Sequence, residues 1–208
     1  MKKAFLVGVF LLLISLPAFG AQVIVGGHDS YSNKPWCVSC STEISYQGLI
    51  QQSDIGLAGE IIALGFQAYN TSGGTFQNVQ VSLCHTAVAN LSTDMNANYG
   101  ENTPQTVFTA DSLSLSGNPD EWKNILFTTP FDYNNTDNLL VEIRWNGGSG
   151  TFYTITSDTP GVISCGIVSD YDGTILTALY EWHNRYLLSF YQTEVAPISL
   201  GEMRSLYP

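Results

Sequence analysis

Four segments of the chain alternate apolar and polar residues with a period of two, and this alternation constrains the fold more than any other feature. Successive side chains of a β-strand point to opposite faces of a sheet, so each segment has one apolar and one polar face. We expect Glu142 and Arg144 to face solvent. The side chains predicted to face inward are Ile62, Leu64, Phe66 and Ala68; Val79, Val81 and Leu83; Leu139, Val141, Ile143 and Trp145; and Tyr186, Leu188 and Phe190.

Turn-forming residues separate these segments. Gly, Asn, Asp and Pro favour tight turns, and they are concentrated at 71–74, 116–120, 134–137 and 146–150. Segments 86–95 and 174–182 lack helix caps and a sustained apolar stripe and are predicted to be loops. Shorter candidate strands lie at 46–51, 106–109, 122–128, 152–156 and 162–168. About nine or more short strands predict an all-β fold, a jelly-roll-like antiparallel β-sandwich.

The first 20 residues have the composition of a secretory leader. Lys2 and Lys3 precede an apolar run from Ala4 to Leu16, and small residues before and at Gly20 suit cleavage after that residue. The apolar run is shorter than the ~20 residues that span a bilayer. We therefore expect a secreted protein of bacterial type with residues 1–20 removed and no membrane span in the remainder.

The charge balance excludes nucleic acid as a partner. The 208 residues include 7 Lys and Arg against 18 Asp and Glu, a net charge of -11. Loss of Lys2 and Lys3 with the leader leaves 5 basic against 18 acidic residues and a net charge of -13. Binding to phosphate backbones requires a basic patch, which so few Lys and Arg residues do not supply.

Four cysteines, an even number, favour disulfides in an exported chain. Cys37 and Cys40 have the spacing of a redox or zinc half-site, but no βαβ pattern surrounds them and no second pair completes a zinc site. Four cysteines allow three connectivities. We favour a short Cys37–Cys40 ring with a Cys84–Cys165 bridge.

Two longer strings resemble a known module. GEIIALGFQAYNTSGGTFQNVQVSLCHT (59–86) and LFTTPFDYNNTDNLLVEIRWNGGSG (126–150) are similar to a module of secreted and surface-exposed, adhesin-like bacterial proteins, and NRYLLSF (184–190) is similar to its final strand. The resemblance covers about 45–191. It implies a jelly-roll-like sandwich and carries no established set of catalytic residues. Cys84, just before His85 and Thr86, departs from the module's pattern.

Residues for catalysis are sparse. His28, His85 and His183 are the only histidines, and the chain has no nucleophile elbow, zinc-protease helix, phosphate loop or dinucleotide fingerprint. His85 at a strand end is predicted to cap a turn, and His183 to lie in a solvated loop. We expect a non-enzymatic protein. A secreted hydrolase remains an alternative, because a catalytic triad is defined by geometry and not by spacing.

Two acidic turns are candidates for a structural calcium ion. Asp170 and Asp172 alternate before Gly173, and Asn134 and Asp137 bracket a second oxygen-rich turn. Calcium takes carboxylate and carbonyl oxygen ligands of this kind. No other cofactor is expected.

Aromatic residues in or near loops are the remaining candidates for binding a ligand. Sugars stack on the flat faces of such side chains, and Asn and Asp bind hydroxyl groups. The candidate residues are Trp36, Tyr99, Trp122, Tyr180 and Trp182. The leading hypothesis is therefore a β-sandwich module for surface adhesion or carbohydrate recognition, with a glycan or cell-surface polymer as partner.

The alternative from a different class is a self-assembling extracellular structural protein, a subunit of a filament or matrix. Gln22–Val25 form a short apolar β segment ahead of Gly26 and Gly27, and such a segment can add to the open sheet edge of a neighbouring subunit. Pairing within its own sandwich is the competing interpretation. The chain thus divides into a leader (1–20), an N-terminal segment with the Cys pair (21–44), the sandwich (45–192) and a C-terminal tail (193–208).

Overall fold

The structure, a computed structural model, describes residues 19–191. Within them lie fourteen strands and two short helices. In chain order the elements are β1 (Phe19–Val25), β2 (Ser30–Ser32), β3 (Glu43–Ile50), α1 (Gln52–Ile55), β4 (Gly59–Gln67), β5 (Ser72–Thr86), α2 (Met95–Tyr99), β6 (Gln105–Gly117), β7 (Trp122–Tyr133), β8 (Asn138–Asn146), β9 (Gly148–Thr151), β10 (Thr154–Asp158), β11 (Cys165–Val168), β12 (Ala178–Tyr180), β13 (Trp182–Asn184) and β14 (Tyr186–Tyr191).

The strands form three sheets in which every pairing is antiparallel. A four-stranded sheet has the order β1-β14-β4-β7, and a seven-stranded sheet has the order β12-β11-β3-β8-β5-β6 with β9 also paired to β5. A three-stranded sheet, β13-β10-β2, completes the fold. Side chains from the two larger sheets, such as Leu64 and Val81, belong to one buried cluster. The predicted all-β antiparallel sandwich is confirmed, and its jelly-roll connectivity stays a prediction.

The alternation identified the inward faces of three strands correctly. Val79, Val81 and Leu83 of β5 are buried, as are the four predicted residues of β8 and the three of β14. In β4 the prediction is wrong at Ile62, which is partly exposed, whereas Ile61 is buried. The register of β4 against β7 shifts between Ile61 and Ala63. This bulge reverses the phase of the alternation for the residues before it.

A second layer covers the outer face of the seven-stranded sheet. We call residues 88–102 and 169–177 the outer layer; backbone hydrogen bonds such as Leu176 N to Thr93 O (2.7 Å) join its two parts. Glu142, predicted to face solvent, is only 5% exposed because this layer lies over it. The segments predicted to be loops are largely irregular but contain the start of α2, capped by Asp94, and β12.

The segment before β3 is integrated into the sandwich. Gln22–Val25 pair with β14 of the same chain, and β2 pairs with β10. Most of the predicted leader (1–18) and the predicted tail (193–208) lie outside the described residues. Within the described range, no helix combines the length and apolar character needed to cross a membrane.

One disulfide prediction is confirmed and the other is wrong. Cys37 and Cys40 are bonded, whereas Cys84 and Cys165 are free and buried. Cys165 is on β11 and Cys84 on β5, with β3 and β8 between them. Strands are spaced ~4.8 Å apart, so the two residues are about 14 Å apart, well beyond the ~7 Å Cα limit for a disulfide. They also belong to different buried clusters.

A tyrosine pair joins the two larger sheets inside the core. The hydroxyls of Tyr46 on β3 and Tyr186 on β14 are 2.6 Å apart, and Asn184 Nδ2 donates to the Tyr46 hydroxyl at 3.0 Å. Both tyrosines are fully buried. Gly48 leaves the space that the hydroxyls occupy, since an added Cβ would lie 2.7 Å from the Tyr46 oxygen and closer still to that of Tyr186.

Replacing Gly48 with alanine is expected to lower the free energy of unfolding by about 1–3 kcal/mol, the usual cost of an extra methyl in a packed core. Chemical denaturation of the wild type and Gly48→Ala measures the difference. In a Tyr186→Phe background the nearest hydroxyl is absent, so the same substitution should cost less. Equal costs in the two backgrounds would contradict the close approach as the reason for glycine.

Candidate ligand-binding groove

The structure removes Trp36 from the predicted sugar-binding residues. Its side chain is fully buried and packs between Phe66 and Phe76, with ring centroids at 5.4 and 5.0 Å. A sugar needs an exposed ring face, so the prediction for Trp36 is wrong. The residue lies in a loop, but its indole fills the centre of the core.

The other four predicted aromatic residues are partly buried and do not form one platform. The Tyr99 hydroxyl donates to Glu142, and the Arg185 guanidinium lies over Trp122, 5.8 Å from its centroid. Tyr180 and Trp182 contact each other with centroids 5.0 Å apart and also pack against the core. Only this last pair is brought together.

The outer face of β5 and β6 carries a groove of about 480 Å³, a volume within the usual range for small-molecule sites. Gln80 and Thr109 are register partners across its floor. Amide, hydroxyl, carboxylate and aromatic side chains therefore share one concave surface. The lining residues are Asn78, Val79, Gln80, Thr109, Ala110, Asp111 and Tyr171.

Local sequence explains why polar side chains line this floor. Val79 and Val81 point into the core, so Gln80 between them points outward. Asn78 adopts a left-handed conformation with φ of 50°, which Asn tolerates better than most residues. Its side-chain amide donates to Asn146 Oδ1 at 2.6 Å. The floor is consequently held by a strand ladder and not by a loop.

The wall of the groove is the turn that carries Tyr171. Arg144 Nη1 donates to the Tyr171 carbonyl at 2.6 Å, and the Ser45 hydroxyl lies 2.7 and 2.8 Å from the carbonyls of Asp170 and Tyr171. The Asp172 amide donates to Asp170 Oδ1 at 3.0 Å. These contacts attach the turn to β3 and β8 and hold Tyr171 at the groove.

Arg144 is in turn held by the buried carboxylate of Glu142. Glu142 Oε1 accepts from Arg144 Nε at 2.7 Å, and Glu142 Oε2 accepts from Gln47 Nε2 at 3.2 Å and from the Tyr99 hydroxyl. Burial, followed by the Glu142 charge, raises the pKa of Tyr99 well above its ordinary value. The phenol therefore stays a neutral donor, and the ion pair is satisfied on both sides.

A second group of aromatic residues was not predicted. Tyr31 and Tyr69 are 52% and 39% exposed and stack with centroids 4.1 Å apart and planes at 12°. Tyr69 lies just after β4 and follows Ala68, which was predicted to face inward, so an aromatic residue in the outward phase was the available signal. Tyr171 lies between Asp170 and Asp172, is partly buried and was not among the predicted binding residues.

The two predicted calcium turns are closed by their own hydrogen bonds. Asn134 Oδ1 accepts from the amides of Thr136 (2.9 Å) and Asp137 (3.1 Å), and Asn134 Nδ2 donates to Asp137 Oδ2 at 2.7 Å. In the turn with Asp170 and Asp172, the Arg144 guanidinium already donates a hydrogen bond to the backbone carbonyl of Tyr171. Among residues 19–191, no three His, Cys, Asp or Glu side chains form a metal-binding group. Calcium binding stays a prediction, and a rise in melting temperature when calcium is added after chelation would support it.

The histidines lie at structural positions. His85 Nε2 accepts from the Asn134 amide at 3.2 Å, which confirms the predicted turn cap. His183 was predicted to be solvated but is 3% exposed in β13, where Nδ1 is 2.7 Å from the Asn184 carbonyl oxygen. Ser157 is its register partner, yet the Ser157 hydroxyl donates to Asp29 at 3.2 Å. A triad requires the histidine between serine and aspartate, so this arrangement gives the hydrolase alternative no support.

Acid is expected to destabilise the protein through His183. Burial lowers the pKa of its imidazole below the 6.5 ordinary for histidine. Below about pH 6.5 the unfolded chain binds a proton that the folded chain does not, so stability falls as the pH drops toward the folded-state pKa. Melting temperatures of the wild type and His183→Asn from pH 7.5 to 5 measure this, and we expect the variant to lose less stability.

The asparagine variant can still donate to the Asn184 carbonyl. His28→Asn, at an exposed histidine 3.2 Å from Asp120, is the matched control. If His183→Asn follows the wild-type pH dependence, titration of His183 is not the cause.

Comparison with known proteins does not assign the chain to a family. A scan against models of protein families finds no match, and a search of curated proteins finds no significant match. What is shown for this protein is therefore the all-β antiparallel fold and the geometry of its surfaces.

Proposed function

We propose that this chain is a secreted, non-enzymatic β-sandwich module that recognises carbohydrate and serves adhesion at a cell surface. One observation carries the proposal: the groove on β5 and β6 combines Tyr171 with Asn78, Gln80, Thr109 and Asp111 in one concave surface. An aromatic face for stacking and amide and hydroxyl groups for hydrogen bonds are the two requirements of sugar binding.

The lining predicts the class of glycan. Asn and Gln amides donate and accept, and the Thr109 hydroxyl does both, so they match the hydroxyl groups of a sugar. Asp111 adds a negative charge, and no Lys or Arg lines the groove. Because the whole chain is also acidic, we expect neutral sugars to bind and sulfated or uronic acid polymers to be repelled.

Rigidity of the wall favours binding. The backbone carbonyl of Tyr171 is held by Arg144 and Ser45 before any ligand arrives. A turn whose backbone is already ordered loses less conformational entropy on binding than a mobile one. The leader-like residues 1–20 support secretion, and the resemblance of 59–86 and 126–150 to adhesin-like modules supports a jelly-roll-like connectivity and a surface role.

A glycan array followed by titration with the best neutral oligosaccharide tests the proposal. We expect Tyr171→Ala to weaken binding about tenfold or more, equivalent to ~1.4 kcal/mol of lost stacking. Tyr31→Ala removes an exposed tyrosine outside the groove and should leave the affinity unchanged, as the matched control. Absence of any glycan binder, or equal affinities for the wild type and Tyr171→Ala, would overturn the assignment of this groove.

A further inference from the structure

The edge strands of this fold differ in how they are protected. Exposed edges invite pairing with another chain, and proteins block them with charges, proline or very short strands. The edge strand β7 carries Lys123, Pro130 and Asp132, and β6, the edge of the other large sheet, carries Asp111. The edges β2, β12 and β13 are three residues each. Strand β9 has four residues, and its Thr151 forms a bridge with Cys37.

Strand β1 has none of these protections along Gln22–Val25. Its seven residues include Phe19 and Gly20 of the predicted leader, and the five that follow the cleavage point contain no charged residue and no proline. One side pairs with β14, and among residues 19–191 no strand pairs with the other side. The register is irregular between Phe19 and Gln22, but the pairing of the four residues that follow is regular. Within residues 19–191, the outer side of this uncharged four-residue edge is therefore unpaired.

The side chains of β1 fit an antiparallel copy of the same strand. Val25 is buried and Val23 packs on the core, whereas Ile24 points outward and is 50% exposed. When two such strands pair around Ile24, Ile24 lies opposite Ile24 of the second copy, and Val23 lies opposite Val25. The inward-facing valines of one copy thus lie beside those of the other, and the two exposed isoleucine side chains pack against each other.

We infer that two copies of this chain associate by antiparallel pairing of their β1 strands, which joins the two four-stranded sheets into one sheet of eight. A second copy is the occupant because the segment is complementary to itself under twofold symmetry. Two copies of a chain with a net charge of -11 repel each other over most of their surfaces. Strand β1 has no charged residue, so contact through β1 avoids this repulsion. The association uses the open side of β1, so its pairing with β14 is unchanged.

The dimer would alter the protein's function without any new ligand contact. A dimer presents two grooves. A polymer bound in one groove is held near the other, so the second binding event is intramolecular and the overall affinity rises. This consequence rests on the proposed carbohydrate binding, but the association itself does not. Failure of glycan binding would leave the dimer intact, and the reverse holds as well.

Sedimentation velocity of the purified chain tests the inference, from about 1 µM to about 1 mM, the affinity range of small interfaces. We expect reversible dimerisation. Ile24→Lys places two like charges opposite each other and should weaken dimerisation at least about tenfold. Leu126→Lys is the matched control, because Leu126 is 53% exposed on β7 at the opposite edge of the same sheet, and it should dimerise like the wild type.

A charge-swap mixture tests the register. Ile24→Glu alone should also fail to dimerise, whereas an equal mixture of Ile24→Lys and Ile24→Glu should form heterodimers again. A monomer at every concentration overturns the inference. A dimer that Ile24→Lys leaves unchanged, or that Leu126→Lys weakens equally, places the contact elsewhere and also overturns it. Circular dichroism of each variant checks that its overall β content matches that of the wild type.

Discussion

The hydrogen bond between Tyr46 and Tyr186 is the contact on which the relative position of the two main sheets depends. It crosses the core from β3 to β14, and burial raises the pKa of both phenols so that they stay neutral. Losing one hydroxyl would leave the other without its partner in the core, at a cost of ~1–3 kcal/mol. Gly48 is the residue that permits this approach. The sandwich thus contains a polar, directional contact at its centre, which sets how one sheet lies on the other.

The same sheet that supplies Tyr46 also supports the groove on its opposite face. Gln47, next to Tyr46, points outward and hydrogen-bonds to Glu142, which holds Arg144 and, through it, the turn with Tyr171. Alternation along β3 and β8 therefore assigns one face to packing and the other to a buried polar network. The outer layer excludes water from that network, which strengthens the ion pair and orders the groove wall.

Particular residues show how much could be predicted from the sequence. Val79, Val81 and Leu83 were assigned correctly, because a regular strand repeats every two residues and its neighbours impose the same burial. Ile62 was misassigned because a bulge in β4 depends on its pairing with β7. Trp36 and His183 were misassigned because a loop or a short polar strand becomes buried only when other segments pack over it. The groove was found only in part: its acidic turn was singled out, but Gln80 and Thr109 come together through a long-range register.

The sequence alone determined the all-β class, the inward faces of the regular strands β5, β8 and β14, the turns and the acidic character, since each depends on residues close together in the chain. Tertiary structure decided which cysteines bond, which aromatic rings remain exposed and which strand edge stays open. These properties depend on distances between residues far apart in the chain. Cys84 and Cys165 illustrate the difference, because only the order of strands in the sheet separates them beyond the reach of a disulfide.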